Sequence, residues 1–548
     1  MKNRKRLSIF IVLVFCVGLF AMAPVLPVQA QGGTVVIGTT DSVTKLDPAD
    51  SYDYFSSNVL VQITHGLMEM PLDSTDAQKG PIIEDYSIST DGKEYTFTLK
   101  TGIKFSDGTA FNATAVKWNI DRVLALPDGE PAFLLTDVVN KTEVVDETHV
   151  KIYLNIADAT FLQRLVYTVA WPISTISLPA DELSGRSADT LPAGLGPYMI
   201  DTWTKDVELI LVPNPNYFGT APKNDRIIVK FYTDASTMLT ALENGDIDVA
   251  HRVFGPDEMA SVMANDNLEF ATKSSAGIRY LLINVDMYTD INVRRGLAAA
   301  INRTEIVDTV FDNFNEPLFS MVPKIFTSHI DTFMDGPSQA YVAANMTQSG
   351  YVKDTNKFAL DMWYTPTHYG DTEASVAQLL KNQFEATGFF DVTLKNVEWT
   401  QYLDQRKTMG FYLLGWWFDY PDASNYIDPF LGSGSVSFGV NYSDTNMDNY
   451  IDTILTDSNA ANRKTASENA QKLMAQDVPL IPLFTMLSQF TAWQPGVTGV
   501  LLEPSENVHY SSIVAPAAPT PGFETLPTLV AIISIGVVVI FLRSRRKH

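Results

Sequence analysis

The chain has 548 residues, 46% of them hydrophobic and 11% aromatic, with 39 Lys and Arg against 63 Asp and Glu. That length holds three or so domain-sized units, and apolar residues spread throughout exclude disorder as a general description. Eight basic residues sit in the first six and last six positions, so everything between carries 31 basic against 63 acidic residues, a charge of −32 that repels phosphate backbones and excludes nucleic acid as a partner.

At the N-terminus, Lys2, Arg4, Lys5 and Arg6 precede an apolar run over residues 7–22 and a stretch ending Val28-Gln29-Ala30. This reads as a secretory signal cleaved after Ala30, with an uncleaved signal anchor as the rival reading. Cys16, the single cysteine, lies inside that run. The mature chain then has no disulfide framework, no thiolate catalysis and no Cys-based metal site.

Residues 31–514 alternate β-like runs with helical stretches, an α/β mixture. Thr34-Val35-Val36-Ile37-Gly38 is a strand by its β-branched content. Tyr95-Thr96-Phe97-Thr98-Leu99-Lys100 alternates with period two behind the turn signal Asp91-Gly92, and Val150-Lys151-Ile152-Tyr153-Leu154 alternates as well. A strand over 227–232 leads into a helix near 236–244 that Gly245 stops. Residues 292–301 read as a helix on which Arg294 and Arg295 are surface charges, the alternative being an anionic ligand. Residues 358–364, 373–386 and 392–394 read as a βαβ unit. Leu413-Leu414 ends a buried strand, and strand ends in α/β lobes open into ligand clefts. Five Asn-x-Ser/Thr sequons are compatible with an external chain.

The C-terminus carries a second address. A Pro/Ala linker from Ala515 to Gly522 is followed by 17 uncharged residues, 526–542, and the basic cluster Arg543, Arg545, Arg546 and Lys547. At 1.5 Å per residue the apolar segment just spans a thin hydrocarbon core, and the basic end stays cytoplasmic, holding the body outside. A buried core helix is the alternative.

Catalytic signatures are absent from the sequence. There is no Gly-x-Ser-x-Gly elbow, no P-loop and no His pair flanking a glutamate, and the seven histidines are scattered. No enzyme activity, cofactor or metal is expected.

Several stretches together resemble one family. Lys45-Leu46-Asp47-Pro48, Tyr52-Asp53, His65-Gly66-Leu67, the segment from Asp91-Gly92-Lys93 to Asp107-Gly108-Thr109, Gly194-Leu195-Gly196-Pro197-Tyr198, Asn214-Pro215-Asn216-Tyr217, the stretch 241–248, Asn292-Val293-Arg294-Arg295-Gly296 and Gly415-Trp416-Trp417-Phe418-Asp419-Tyr420-Pro421-Asp422 occur in that family's order. It is the extracellular solute-binding protein of ABC importers, family 5, the dipeptide- and oligopeptide-binding class. The family more often has an acidic residue where His65 stands. The order Pro521-Gly522-Phe523, apolar segment, basic end is similar to the C-terminal sorting tail of archaeal surface proteins, which is exchanged for a lipid.

The resemblance implies a periplasmic-binding-protein-like fold of type II, α/β, two-lobed and cleft-closing, with mixed sheets and an extra domain. Domain I is expected from 31–78, 190–277 and 491–513, domain II from 79–189 and domain III from 278–490. These lie between the 1–30 signal peptide and the 514–525 linker, 526–542 segment and 543–548 basic end. The turn around Gly194–Tyr198 is placed near a crossing between lobes. The aspartate at Asp419's position pairs with a peptide's α-ammonium in peptide-binding members, so Asp419 is the leading candidate, with Trp416, Trp417 and Tyr420 as cleft walls. The alternatives are that Asp419 caps a turn before Pro421 and that one tryptophan belongs to the core. The implied function is capture of peptides by a monomeric receptor at the outer membrane face and delivery to a permease. Oligosaccharide is the rival ligand. A surface hydrolase and a structural surface-layer protein are the rival classes, while nickel and haem fit the sparse histidines poorly.

Overall fold

The computed structural model describes residues 33–515 apart from 186, 188, 189, 253, 367, 370, 371, 436, 487 and 488. The predicted signal peptide and the predicted C-terminal linker and tail beyond Ala515 lie outside the described residues. Among the described residues no helix is long and apolar enough to cross a membrane.

Two mixed sheets organise the chain. The first has seven strands in the order Glu269–Lys273, Gln489–Trp493, Val249–His251, Thr34–Thr39, Arg226–Phe231, Glu208–Pro213 and Tyr198–Thr204. Thr34–Thr39 runs parallel to both of its neighbours. Between Arg226–Phe231 and Val249–His251 comes the helix Ala235–Glu243. Its N-cap Asp234 accepts from the Thr237 amide at 2.7 Å. It ends as the sequence predicts: Gly245 takes φ +76°, its amide donates to the Leu242 carbonyl, and the Asp246 amide donates to that of Ala241.

The second sheet has six strands in the order Glu316–Pro317, Leu480–Thr485, Ile278–Ile283, Phe411–Trp416, Phe358–Tyr364 and Phe390–Asn396. The predicted βαβ unit is present, with Phe358–Tyr364 parallel to Phe390–Asn396 and the helix Glu373–Ala386 between them. Ile278–Ile283 is buried along its whole length because both faces are covered. Ile278, Tyr280 and Leu282 enter one core and Leu281 and Ile283 the other. This produces a continuous apolar run where a half-exposed strand would alternate.

The two sheets are joined by adjacent strands. Glu269–Lys273 pairs antiparallel with Gln489–Trp493, and a few residues further on Ile278–Ile283 pairs antiparallel with Leu480–Thr485. Among the described residues the chain crosses from the first sheet to the second over the short link 274–277 and returns between Thr485 and Gln489.

A separate four-stranded antiparallel module carries Ile83–Ile88, Glu94–Leu99, His149–Leu154 and Val139–Val144. Its middle strands bury every second residue, as their period-two pattern predicts. Asp107-Gly108-Thr109 is a turn, with Gly108 at φ +88° and the Thr109 amide donating to the Asp107 carboxylate at 2.9 Å. The module is fastened to the first lobe by Asp47, which is fully buried. The guanidinium of Arg122 on helix Ala113–Ala125 grips it with two bonds of 2.8 and 2.6 Å.

The stretch Gly194–Tyr198 passes from the module's core, which holds Leu195, to the first lobe's core, which holds Tyr198. Its glycines are required by close approach. A Cβ on Gly194 would stand 2.1 Å from the Ile63 carbonyl oxygen, and one on Gly196 2.5 Å from the Ile63 carbonyl carbon. Arg294 departs from the sequence reading. It is buried, with Nε donating to the Asp477 carbonyl at 2.9 Å and Nη1 to that of Tyr288 at 2.7 Å, so it ties the helix Ile291–Ala300 to its neighbours and is neither a surface charge nor a ligand contact.

Candidate ligand-binding cleft

A cleft of about 1940 Å³ lies where the two lobes and the module meet. The first lobe sends Tyr52 and Arg252 into it, the module Tyr167, and the second lobe Arg279, Trp417 and Asp419.

The strand Phe411–Trp416 is buried through Leu414 and emerges into the cleft at Trp416, so the sequence reading of a strand end opening into a cavity fits the geometry. Asp419 follows three residues later and is 8% exposed. The Tyr52 hydroxyl donates to its Oδ1. Asn425 Nδ2 donates to its Oδ2 at 3.2 Å, and the Asp419 amide donates back to Asn425 Oδ1 at 2.8 Å. Burial pushes the Asp419 carboxyl up to about 6, against the opposing effects of the Tyr52 and Asn425 bonds and the Arg164 charge. The turn-capping alternative belongs instead to Asp422, whose carboxylate accepts from the Ser424 amide at 2.9 Å.

The three aromatic candidates separate. Trp416 lines the cleft with part of its ring, yet it is held from behind. Its Nε1 donates to the Asn425 carbonyl at 2.9 Å, and Phe430 and Phe438 meet it at 5.1 and 5.4 Å between ring centres. Trp417 covers the crossing link, where a Cβ on Gly277 would be 2.5 Å from its ring, and its buried Nε1 has no acceptor among the described residues. Tyr420 does not line the cleft. It points into the core of the four-stranded module, with the Arg164 guanidinium 4.5 Å from its ring centre and Ser424 Oγ 3.2 Å from its hydroxyl. The physical reason is that the ladder ends at Trp416, so the pleat no longer dictates which way Tyr420 faces.

The cleft also contains charged groups that the sequence reading did not single out. Arg252, at φ +73°, lies 3.6 Å from the Tyr54 ring centre and 5.6 Å from that of Trp417, and pairs with Asp41 at 3.2 Å and Glu506 at 3.5 Å. Beside it His251 is buried, and burial pushes its imidazole down to about 3, which keeps it neutral. On the second lobe Arg279 forms a buried ion pair with Glu373 and lies 3.5 Å from the Tyr369 ring centre. Its Nη1 and the Nε of Arg406 are buried without acceptors among the described residues. Arg406 lies 4.7 Å from the Phe438 ring centre. The only sequence-level signal for these groups is arginine near aromatic residues far apart in the chain, which sequence order does not connect. His65, where the family pattern is more often acidic, lines the cleft and contacts Glu69 at 2.7 Å. Among the described residues no group of three or more His, Cys, Asp or Glu is placed to hold a metal ion.

Two α/β lobes joined by paired crossing strands around a cleft define a periplasmic-binding-protein-like fold of type II. A family model described as bacterial extracellular solute-binding proteins, family 5 Middle, matches residues 78–438, and the chain belongs to that family. It is a solute-binding protein and not an enzyme. The glutathione-binding protein GsiB of Shigella flexneri serotype 5b (strain 8401) is 28% identical over 468 residues, covering 82% of this chain and 88% of that protein. Two solved structures share the fold, each with a TM-score of 0.73. A dipeptide-binding protein from Pseudoalteromonas sp. SM9913 in complex with Met-Leu is 20% identical, covering 88% of this chain and 99% of its own. The binding protein DppA from Helicobacter pylori in complex with peptide STSA is 19% identical, covering 89% and 99%.

Proposed function

We propose that this chain is the cell-surface receptor of an ABC importer that captures di- or oligopeptides by closing its cleft and hands them to a membrane permease. The observation that carries the reading is Asp419, a carboxylate just past the end of a buried strand, held by a hydroxyl and an amide; among the described residues it has no cation within 4 Å and feels the charge of Arg164 only from further off. A buried carboxylate without a cation is costly, and a peptide α-ammonium supplies one. Arg279 and Arg406 give the same cavity cationic groups with unused donors, which suits a ligand bearing both charges. Oligosaccharide has less support, because Trp416 is committed to Asn425, Phe430 and Phe438 and is a poor stacking platform.

The sheet memberships favour a discontinuous domain I (31–78, 190–277, 491–513), a domain II (79–189) and a domain III (278–490), with the two paired strands that pass between the sheets as hinge. Ligand contacts to both lobes select the closed form. The sequence supports export through the 1–30 signal and retention at the outer face by the 526–542 segment or a lipid that replaces it. The receptor acts there as a monomer, at raised effective concentration near its permease. Native mass spectrometry of the protein from its own membranes, followed by denaturation, tests the reading. A ladder of released peptide masses is the expected result, and hexose-spaced masses would sink it.

A further inference from the structure

Tyr52 is a side chain of the first lobe that reaches the candidate ammonium site, 367 positions away in sequence. Its backbone is clamped on both sides. Upstream, the Ser51 amide donates to the carbonyl of Asp47, whose carboxylate is locked by Arg122. Downstream, Asp53 caps the helix Tyr54–Ile63 by accepting from the Ser56 amide at 2.8 Å. The ring packs on Phe133 and Tyr167, with centres 5.9 and 6.0 Å away, and the residue is still 36% exposed. The anchor of this side chain is therefore rigid, while the ring keeps an open side.

We infer that Tyr52 sets the specificity of the cleft by filling the Asp419 site with its own hydroxyl, so that closure rewards only ligands whose charged amine displaces a neutral phenol. This rests on the peptide reading and adds the filter to it. A phenol O–H to a carboxylate is a charge-assisted bond, but an ammonium brings its own charge and makes a stronger one. A ligand with a free α-amine takes Oδ1 of Asp419 from Tyr52, while Asn425 keeps Oδ2. A neutral ligand leaves Tyr52 where it is and gains nothing at this site. The same hydroxyl therefore competes with amines and protects Asp419 from being buried bare when the cleft closes on anything else.

Tyr52→Phe keeps the ring packing and removes the hydroxyl, and the two ligand types respond in opposite directions. By calorimetry on the full chain at pH 7, trialanine is expected to bind the variant roughly three- to tenfold more tightly, and N-acetyl-trialanine more weakly by a similar factor, the size of one net hydrogen bond. Thermal midpoints of the two proteins confirm that both are folded. Weakening of both peptides would overturn the inference, because the hydroxyl would then be a direct ligand contact. Unchanged affinities would overturn it too. If the unsubstituted chain binds neither peptide, the peptide reading falls and this inference with it. If it binds trialanine and only the opposite shifts are missing, the peptide reading stands and the filter alone fails.

Discussion

Asp419→Asn separates what this carboxylate costs the fold from what it does for a ligand. Its carboxyl is pushed from the ordinary 3.8 up to about 6 by burial, so ionising it in the folded protein costs about 3 kcal/mol more than in the unfolded chain. The folded state holds this proton where the unfolded state has lost it. Stability from this group is therefore full below about pH 4, falls as pH rises towards 6, and is gone above that. The asparagine variant has no such loss. Its amide can turn its oxygen to Asn425 Nδ2 and its NH2 to the Tyr52 oxygen, so both bonds survive. The variant should match the unsubstituted protein at pH 4 and exceed it at pH 7.5 by up to about 3 kcal/mol, which for a chain of this size raises the melting temperature by about 3 °C. Calorimetric melting at both pH values reads the difference, and a free-amine peptide should bind the variant about 10- to 100-fold more weakly, the worth of a charged hydrogen bond. An equal gap at the two pH values, or a less stable variant at pH 7.5, would refute the account of the buried carboxylate.

Other substitutions probe the supporting structure. Arg122→Met strands the buried Asp47 carboxylate and should lower stability by about 3–5 kcal/mol in urea melts; a loss below about 1 kcal/mol would mean that Asp47 reaches water instead. Gly196→Ala forces a methyl to within 2.5 Å of the Ile63 carbonyl carbon and should cost about 1–3 kcal/mol, so an unchanged thermal midpoint would contradict the packing described. Tyr420→Ala empties a site in the module's core and should cost about 3–5 kcal/mol with peptide affinity little changed; intact stability with lost binding would return Tyr420 to the cleft.

Much of the fold was legible because its signals are local. The alternation in Glu94–Leu99 and His149–Leu154, the stop at Gly245 and the βαβ unit from Phe358 to Asn396 each lie within a few turns of chain. The strand leading to Trp416 was legible from Leu413-Leu414, and with it the place of Asp419. Tyr420 was misread because its place beside Asp419 in the sequence says nothing of where its side chain goes once the strand has ended at Trp416. Arg294 was misread because a buried arginine satisfied by main-chain carbonyls has the same pattern as a surface one. Tyr52, Arg252 and the Arg279–Glu373 pair needed the tertiary fold, since Tyr52 meets Asp419 across 367 residues and Arg279 meets Glu373 across 94.

The described chain begins and ends in the same lobe. Val35 and Ile37 share a core with Val508, Tyr510 and Ile513, and Ala515 packs against that core. The second lobe is inserted between Lys273 and Gln489 and holds neither end of the described chain. Force applied at Val35 and Ile513 therefore runs through the first lobe and out again without loading the strands that pass between the two sheets. An attachment that pulls on these two ends of the described chain leaves the second lobe unloaded.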